Sequence, residues 1–182
     1  MSFSLYDLTV PVFSHKLDNL KQILKKALVQ AEARKIDPAV LVQARLSPDM
    51  FPLVRQVQIA TDQAKGCAAR LAGGEPPRYE DKETTFAEID DRIGRTVTFL
   101  GTLKKKDFEG AEDRRIHLPV RDRTVELVGL PYLLHYAYPN FYFHLTTTYA
   151  ILRHNGIEIG KSDFLGASKP EDLAGAAAHP GH

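Results

Sequence analysis

The segment from Pro139 to Lys161, PNFYFHLTTTYAILRHNGIEIGK, gathers two of the chain's seven histidines, a run of aromatic residues and three consecutive threonines. Imidazoles serve as metal ligands or as acids and bases near neutral pH, and hydroxyls can hold a ligand. On a helix, Ala137, Phe141, Leu145, Thr148 and Leu152 share one stripe, with His144 and Ile151 at its edge. A histidine at that edge is partly buried and needs a partner: a core carboxylate or carbonyl, or else a ligand. His154 falls in the last turn beside Arg153, where cations suit the negative end of the helix dipole. His144 and His154 would stand about 15 Å apart along the helix and roughly 80° around it. They cannot share one ion. No H-x-x-x-H or H-E-x-x-H pair occurs in the chain, so a helical zinc site lacks its usual local signature.

A second segment, ARLSPDMFPLVRQVQIATDQ, supplies Arg45, Asp49, Gln56 and Asp62. Asp49 is expected in a first helical turn, where a carboxylate steadies the helix N-terminus. Gln56 and Asp62 face different directions on a helix. Thr146, Thr147 and Thr148 offer hydroxyls, although helical threonines often bond back to their own backbone. His15 on a first helix either reaches the interior or stays solvated, and His117 falls in an expected hairpin. The polar candidates are therefore His144, Thr148, Gln56, Asp62, Asp49, Arg45 and His15, with His144 and His154 as the weak metal candidates. Cys67, set among small apolar residues in KGCAARLA, reads as an inert buried thiol. Glycine-rich phosphate loops, nucleophile elbows and dinucleotide fingerprints are all missing from the chain.

Helices must position these groups. Leu5, Leu8, Val12, Leu17, Leu20, Ile23 or Leu24, Leu28 and Ala31 recur at helical spacing, with Pro11 marking a start or a kink. Asp37 and Pro38 cap a short helix through DPAVLVQARL. The second long helix is expected to open at Ser47 and close at Gly73-Gly74. EPPRYEDKE follows as a stiff polar linker. Thr85 and Glu88 form a capping box for the third, which runs through Phe86, Ile89, Ile93, Val97, Leu100 and Leu103. Alternation of Ile116, Leu118 and Val120, then Val125 and Leu127, predicts a β-hairpin. A fourth long helix spans 131–154, kinked or restarted at Pro139 and stopped by Gly156. Residues 1–161 thus form one domain, an all-α four-helix bundle with a small hairpin insertion between helices three and four. Residues 162–182 read as a loose tail.

Composition narrows the partners. The 182 residues carry a formal net charge of +1, with 43% hydrophobic and 26% charged residues, ordinary for a soluble domain. No basic face points to nucleic acid, and no apolar run reaches membrane-spanning length. One cysteine and the absence of a signal-peptide pattern fit the cytoplasm.

The stretches ARLSPDMFPLVRQVQIATDQAK, RLAGGEPP and PNFYFHLTTTYAILRHNGIEIGKSDFLG resemble the DUF1993 family of the DinB/YfiT-like superfamily. That resemblance implies an up-down four-helix bundle, often dimeric. Superfamily relatives commonly bind a divalent metal through a histidine on helix two and an H-x-x-x-H pair late on helix four. Some are thiol transferases. Aligning RHNG with the family's closing segment sets His154 on the last ligand position, Ala150 four earlier and Gln56 on helix two. Two of three ligands are then missing. The leading expectation is a DinB-like bundle without the three-histidine metal, keeping a small polar pocket for an unknown small molecule near His144. Beside it stand a zinc- or nickel-dependent enzyme with a relocated site, such as a thiol transferase, and a homodimeric interaction module without catalysis.

Overall fold

The computed structural model describes residues 4–120 and 122–167. Four long helices carry the core: α1 (Leu5–Ala33), α3 (Leu53–Leu71), α4 (Phe86–Thr102) and α6 (Tyr138–His154). The short α2 (Pro38–Gln43) joins α1 to α3, with the Asp37 carboxylate accepting from the Ala39 amide at 2.9 Å. α1 packs on α4, α3 packs on both α4 and α6, and α1 also touches α3. Between α4 and α6 lie β1 (Arg115–Val120) and β2 (Arg123–Val128), an antiparallel pair in the register Ile116 to Leu127. Ile116 and Leu118 face the core, and Val125 and Leu127 are half-buried. Among the described residues no helix is long and apolar enough to cross a membrane.

Near the start of α1 the buried face runs through Leu5, Thr9, Val10, Phe13 and Leu17. Leu8 and Val12, expected inside, are only half-buried. Thr9 can replace an apolar residue there because its hydroxyl donates to the Leu5 carbonyl at 2.6 Å. Phe13 is fully buried, its ring edge-on to Phe141 at 4.8 Å and to Tyr138 at 5.7 Å. Such burial stabilises by roughly 1.5–3 kcal/mol per aromatic side chain. Pro11 lies within the helix on its exposed side.

α3 begins at Leu53 rather than near Ser47. Pro52 is the cause. In a helix opened at Pro48 its ring would strike the preceding turn and its missing N–H would leave a gap. Residues Ser47 to Met50 instead form a turn closed by the Met50 amide on the Ser47 carbonyl at 3.0 Å. Asp49 therefore stands in a loop, hydrogen-bonded by the Ser47 hydroxyl at 2.6 Å, and not in a helical first turn.

The last long helical segment is built in three pieces. α5 (Gly129–Tyr132) passes into a wider turn over Leu133–Ala137, and α6 follows. The Tyr138 amide donates to the Leu133 carbonyl, five residues back. That widening sets Pro139 in the first turn of α6, where it needs no intrahelical donor. Gly129 opens α5 so close to Ala111 that any Cβ would collide with the Ala111 carbonyl. At the far end Gly156, at φ +77°, closes α6, and the Ile157 amide reaches the Leu152 carbonyl at 3.0 Å.

The chain after α6 is more ordered at first than a loose tail. α7 (Lys161–Leu165) packs on α1, with Lys26 paired to Asp163. Residues 168–182, with His179 and His182, lie outside the described residues.

Candidate polar site at the α3–α6 contact

Phe141, Leu145, Thr148 and Leu152 hold α6 against the core, so His144 rides one edge, half-buried. Facing it from α3 is Gln56, only 1% exposed. The Gln56 amide nitrogen donates to the Phe51 carbonyl at 3.0 Å, which turns Oε1 toward α6. His144 Nδ1 sits 2.7 Å from that oxygen. An amide oxygen only accepts, so Nδ1 carries the proton and Nε2 carries the lone pair. No described residue hydrogen-bonds Nε2. Burial lowers the imidazole's pKa below its ordinary 6.5, and the positive charge of Arg55 lowers it further. The ring is thus neutral near neutral pH. Phe143 stands perpendicular to it at 5.2 Å.

The threonines behave as backbone-bonded helical residues. Thr147 donates to the Phe143 carbonyl at 2.8 Å and Thr148 to the His144 carbonyl at 2.9 Å, while Thr146 is exposed. Thr148 therefore sits below His144 without turning its hydroxyl to a ligand.

A larger polar cluster lies elsewhere, centred on Arg92 of α4. Its side chain is 0% exposed. Nε donates to Thr61 at 2.8 Å, Nη2 to Asp62 at 2.8 Å, and Nη1 reaches Asp81 at 3.0 Å and Glu83 at 3.1 Å. Glu83 also accepts from Gln58 at 2.8 Å, and Arg55 joins Asp81 and Gln58. The Tyr79 ring lies under Lys65, Arg92 and Arg95, at 4.7, 5.2 and 4.7 Å. Burial works to raise the Asp81 pKa, but hydrogen bonds and charge from Arg55 and Arg92 outweigh it and hold it below 3.8. The cluster ties the 75–85 linker to α3 and α4. Sequence reasoning passed over Arg92. Its spacing with Ile89, Ile93, Thr96 and Leu100 on one face was the available signal.

The remaining candidates are scattered. Asp62 belongs to the Arg92 cluster and pairs with Lys65 at 2.9 Å. Arg45 donates to the Met50 carbonyl in the loop before α3. His15 faces α7, its Nε2 3.3 Å from the Leu165 carbonyl and from Asn19. His117 is exposed on β1, 3.8 Å from Glu126. Burial raises the Cys67 thiol far above its ordinary range, as its surroundings predicted. Of the seven polar candidates, only Gln56, His144 and Thr148 come together.

The family model described as Domain of unknown function (DUF1993) matches residues 5–165. The chain belongs to the DUF1993 family. It is also similar to a DinB family member protein from Shewanella denitrificans, whose crystal structure was determined at 1.83 Å resolution. The two chains share 48% sequence identity with a TM-score of 0.86, covering 90% of this chain and 93% of that one. No curated protein matches.

Membership raises the question of the superfamily's divalent metal. The alignment that set Gln56 with Ala150 and His154 does not hold in space. Gln56 meets His144, and His154 is exposed in the last turn of α6. Around His144 the donor set is a single imidazole nitrogen, Nε2, with an amide oxygen already accepting from Nδ1 and a hydroxyl turned to its own backbone. Among the described residues no three His, Cys, Asp or Glu side chains gather to hold an ion. Zinc sites take deprotonated nitrogen, sulfur or carboxylate ligands. The residues of this DUF1993 chain do not fit that group.

Proposed function

We propose that this DUF1993 protein is an up-down four-helix bundle that works without the superfamily's metal and binds a small molecule at His144. The observation that carries the reading is the Gln56–His144 pair. The buried Gln56 amide accepts from the imidazole's Nδ1 at 2.7 Å and so leaves Nε2 as the ring's one acceptor. Gln56 is itself fixed by the Phe51 carbonyl, so the pair is a rigid polar element at the contact of two core helices. A half-buried, neutral imidazole supported in this way is suited to orienting a ligand. Metal analysis of protein purified without a histidine tag tests the reading. The account expects substoichiometric zinc and nickel, with the same traces in wild type and in His144→Ala. One equivalent of either metal that disappears in His144→Ala would instead establish a relocated metal site at His144.

A further inference from the structure

We infer that the C-terminal end of α3 and the first strand of the hairpin form a second ligand site, which takes a small phosphate monoester. This site is separate from the one at His144. Gln56 lies in the first turn of α3 and Arg70 in the last, roughly 21 Å apart along the helix.

A cavity of about 580 Å³ opens there, with Arg70 and the Gly73-Gly74 turn from the α3 side and Arg114 to His117 from the hairpin side. Its charge is unbalanced. Glu75 is the acidic residue among the described residues that line it. Arg115 is paired across the hairpin with Glu126, but neither Arg70 nor Arg114 meets a carboxylate among the described residues. Both guanidiniums are nevertheless held in place. Arg114 donates through Nη1 to the Leu71 and Asp107 carbonyls, the second at 3.3 Å, and through Nη2 to the Glu109 carbonyl at 3.1 Å. Arg70 folds back over Gly66, where a Cβ would stand 2.6 Å from its Nη1, and that nitrogen donates to the Tyr132 hydroxyl at 3.4 Å. A guanidinium carries five N–H donors, so two of Arg114 and four of Arg70 have no acceptor among the described residues. Two anchored cations with spare donors match one compact dianion, and guanidinium forks suit phosphate oxygens in particular. The volume is more than a bare phosphate ion fills and falls in the range of small-molecule sites. Ile116 and Pro119 add apolar wall for the rest of the ester.

The test is a calorimetric titration of the tag-free protein with phenyl phosphate, inorganic phosphate, benzoate and benzyl alcohol, with amide chemical shifts to locate each probe. Phenyl phosphate is expected to bind about 10-fold or more tightly than each of the others and to shift the amides of Gly73, Gly74 and Ile116. Arg70→Gln should weaken it about 10-fold, the range for losing one charge-assisted hydrogen bond. Arg114 also holds carbonyls at the end of α3, so its companion variant is Arg114→Lys, which keeps the charge, gives up the fork and should weaken binding by a smaller factor. His144→Phe should leave phenyl phosphate unaffected. No saturable binding of phenyl phosphate, equal affinity for benzoate or inorganic phosphate, or an Arg70→Gln variant that binds like wild type overturns the assignment. Loss of binding in His144→Phe, or shifts confined to α6, also overturns it by placing the ester at His144. None of these outcomes bears on the metal content that tests the His144 reading.

Discussion

His144 and Arg92 show two ways in which a polar side chain is settled inside this protein. His144 is settled by one neutral hydrogen bond and stays uncharged. Its folded pKa lies below 6.5, because burial and then Arg55 disfavour the imidazolium. The neutral form is therefore favoured on folding. Stability from this group is full above the unfolded value and declines as pH falls through the folded one. Urea unfolding between pH 8 and pH 5 should show wild type losing stability relative to His144→Phe as the pH drops. Arg92 is instead charged and saturated by Thr61, Asp62, Asp81 and Glu83. Arg92→Met would leave Glu83, whose side chain is 6% exposed, without its main cation. Breaking one side of a buried pair costs about 3–5 kcal/mol, and at this chain length each kcal/mol lowers Tm by roughly 2–4 °C. Adding Glu83→Gln to Arg92→Met should recover part of that loss, because the stranded charge is removed. Thermal unfolding of the two variants checks both expectations.

At the scale of elements, prolines and glycines decide where helices begin, widen and stop. Pro139 sits in the first turn of α6 because the preceding turn widens to the Tyr138–Leu133 bond. It is accommodated rather than strained. Pro139→Ala should therefore leave stability unchanged or reduce it by up to about 1 kcal/mol, through a looser unfolded chain. Stabilisation by the alanine would show that the proline distorts the helix. Gly156→Ala forces a Cβ into the left-handed region at φ +77° and should cost roughly 1–2 kcal/mol in denaturant unfolding. Much of this level was legible in the residues. The Thr85–Glu88 capping box, the Asp37-Pro38 start, the 115–128 hairpin and the Gly73 and Gly156 stops all stand as their types and spacing indicated. The start of α3 was not, because a serine cap and a proline at 48 look correct until Pro52 is counted as a second obstacle. The first turns of α1 were misread because Thr9 hides its hydroxyl in its own backbone and takes a core position.

For the whole molecule, the core follows from apolar periodicity, whereas the polar contacts that join its helices do not. Gln56 and His144 lie on different helices, and although each stood out as a polar candidate in its own segment, neither segment fixes that they meet. Their meeting depends on how α3 and α6 are set against each other. The same holds for Arg92, whose partners come from α3 and from a linker read only as stiff and polar. That linker is held by charge, and Asp81 adds an acid-sensitive contact. Its pKa is held below 3.8 in the folded chain, so its stabilising effect is present above that value and fades as pH falls through the folded one. Hydrogen exchange across residues 75–85 should rise in Arg92→Met while α1 and α6 stay protected. Exchange that rises equally everywhere would mean that Arg92 supports the entire core and not the linker. The account's central claim is narrower: an amide fixes the imidazole of His144 with its proton on Nδ1, in place of a metal. A long-range proton–nitrogen correlation spectrum of the tag-free protein at pH 7.5 reads that state directly. The predicted result is a neutral His144 ring protonated at Nδ1 that reverts to the ordinary mixture of tautomers in Gln56→Leu. A ring protonated at Nε2, or one whose nitrogen shifts change on treatment with a chelator, would contradict it.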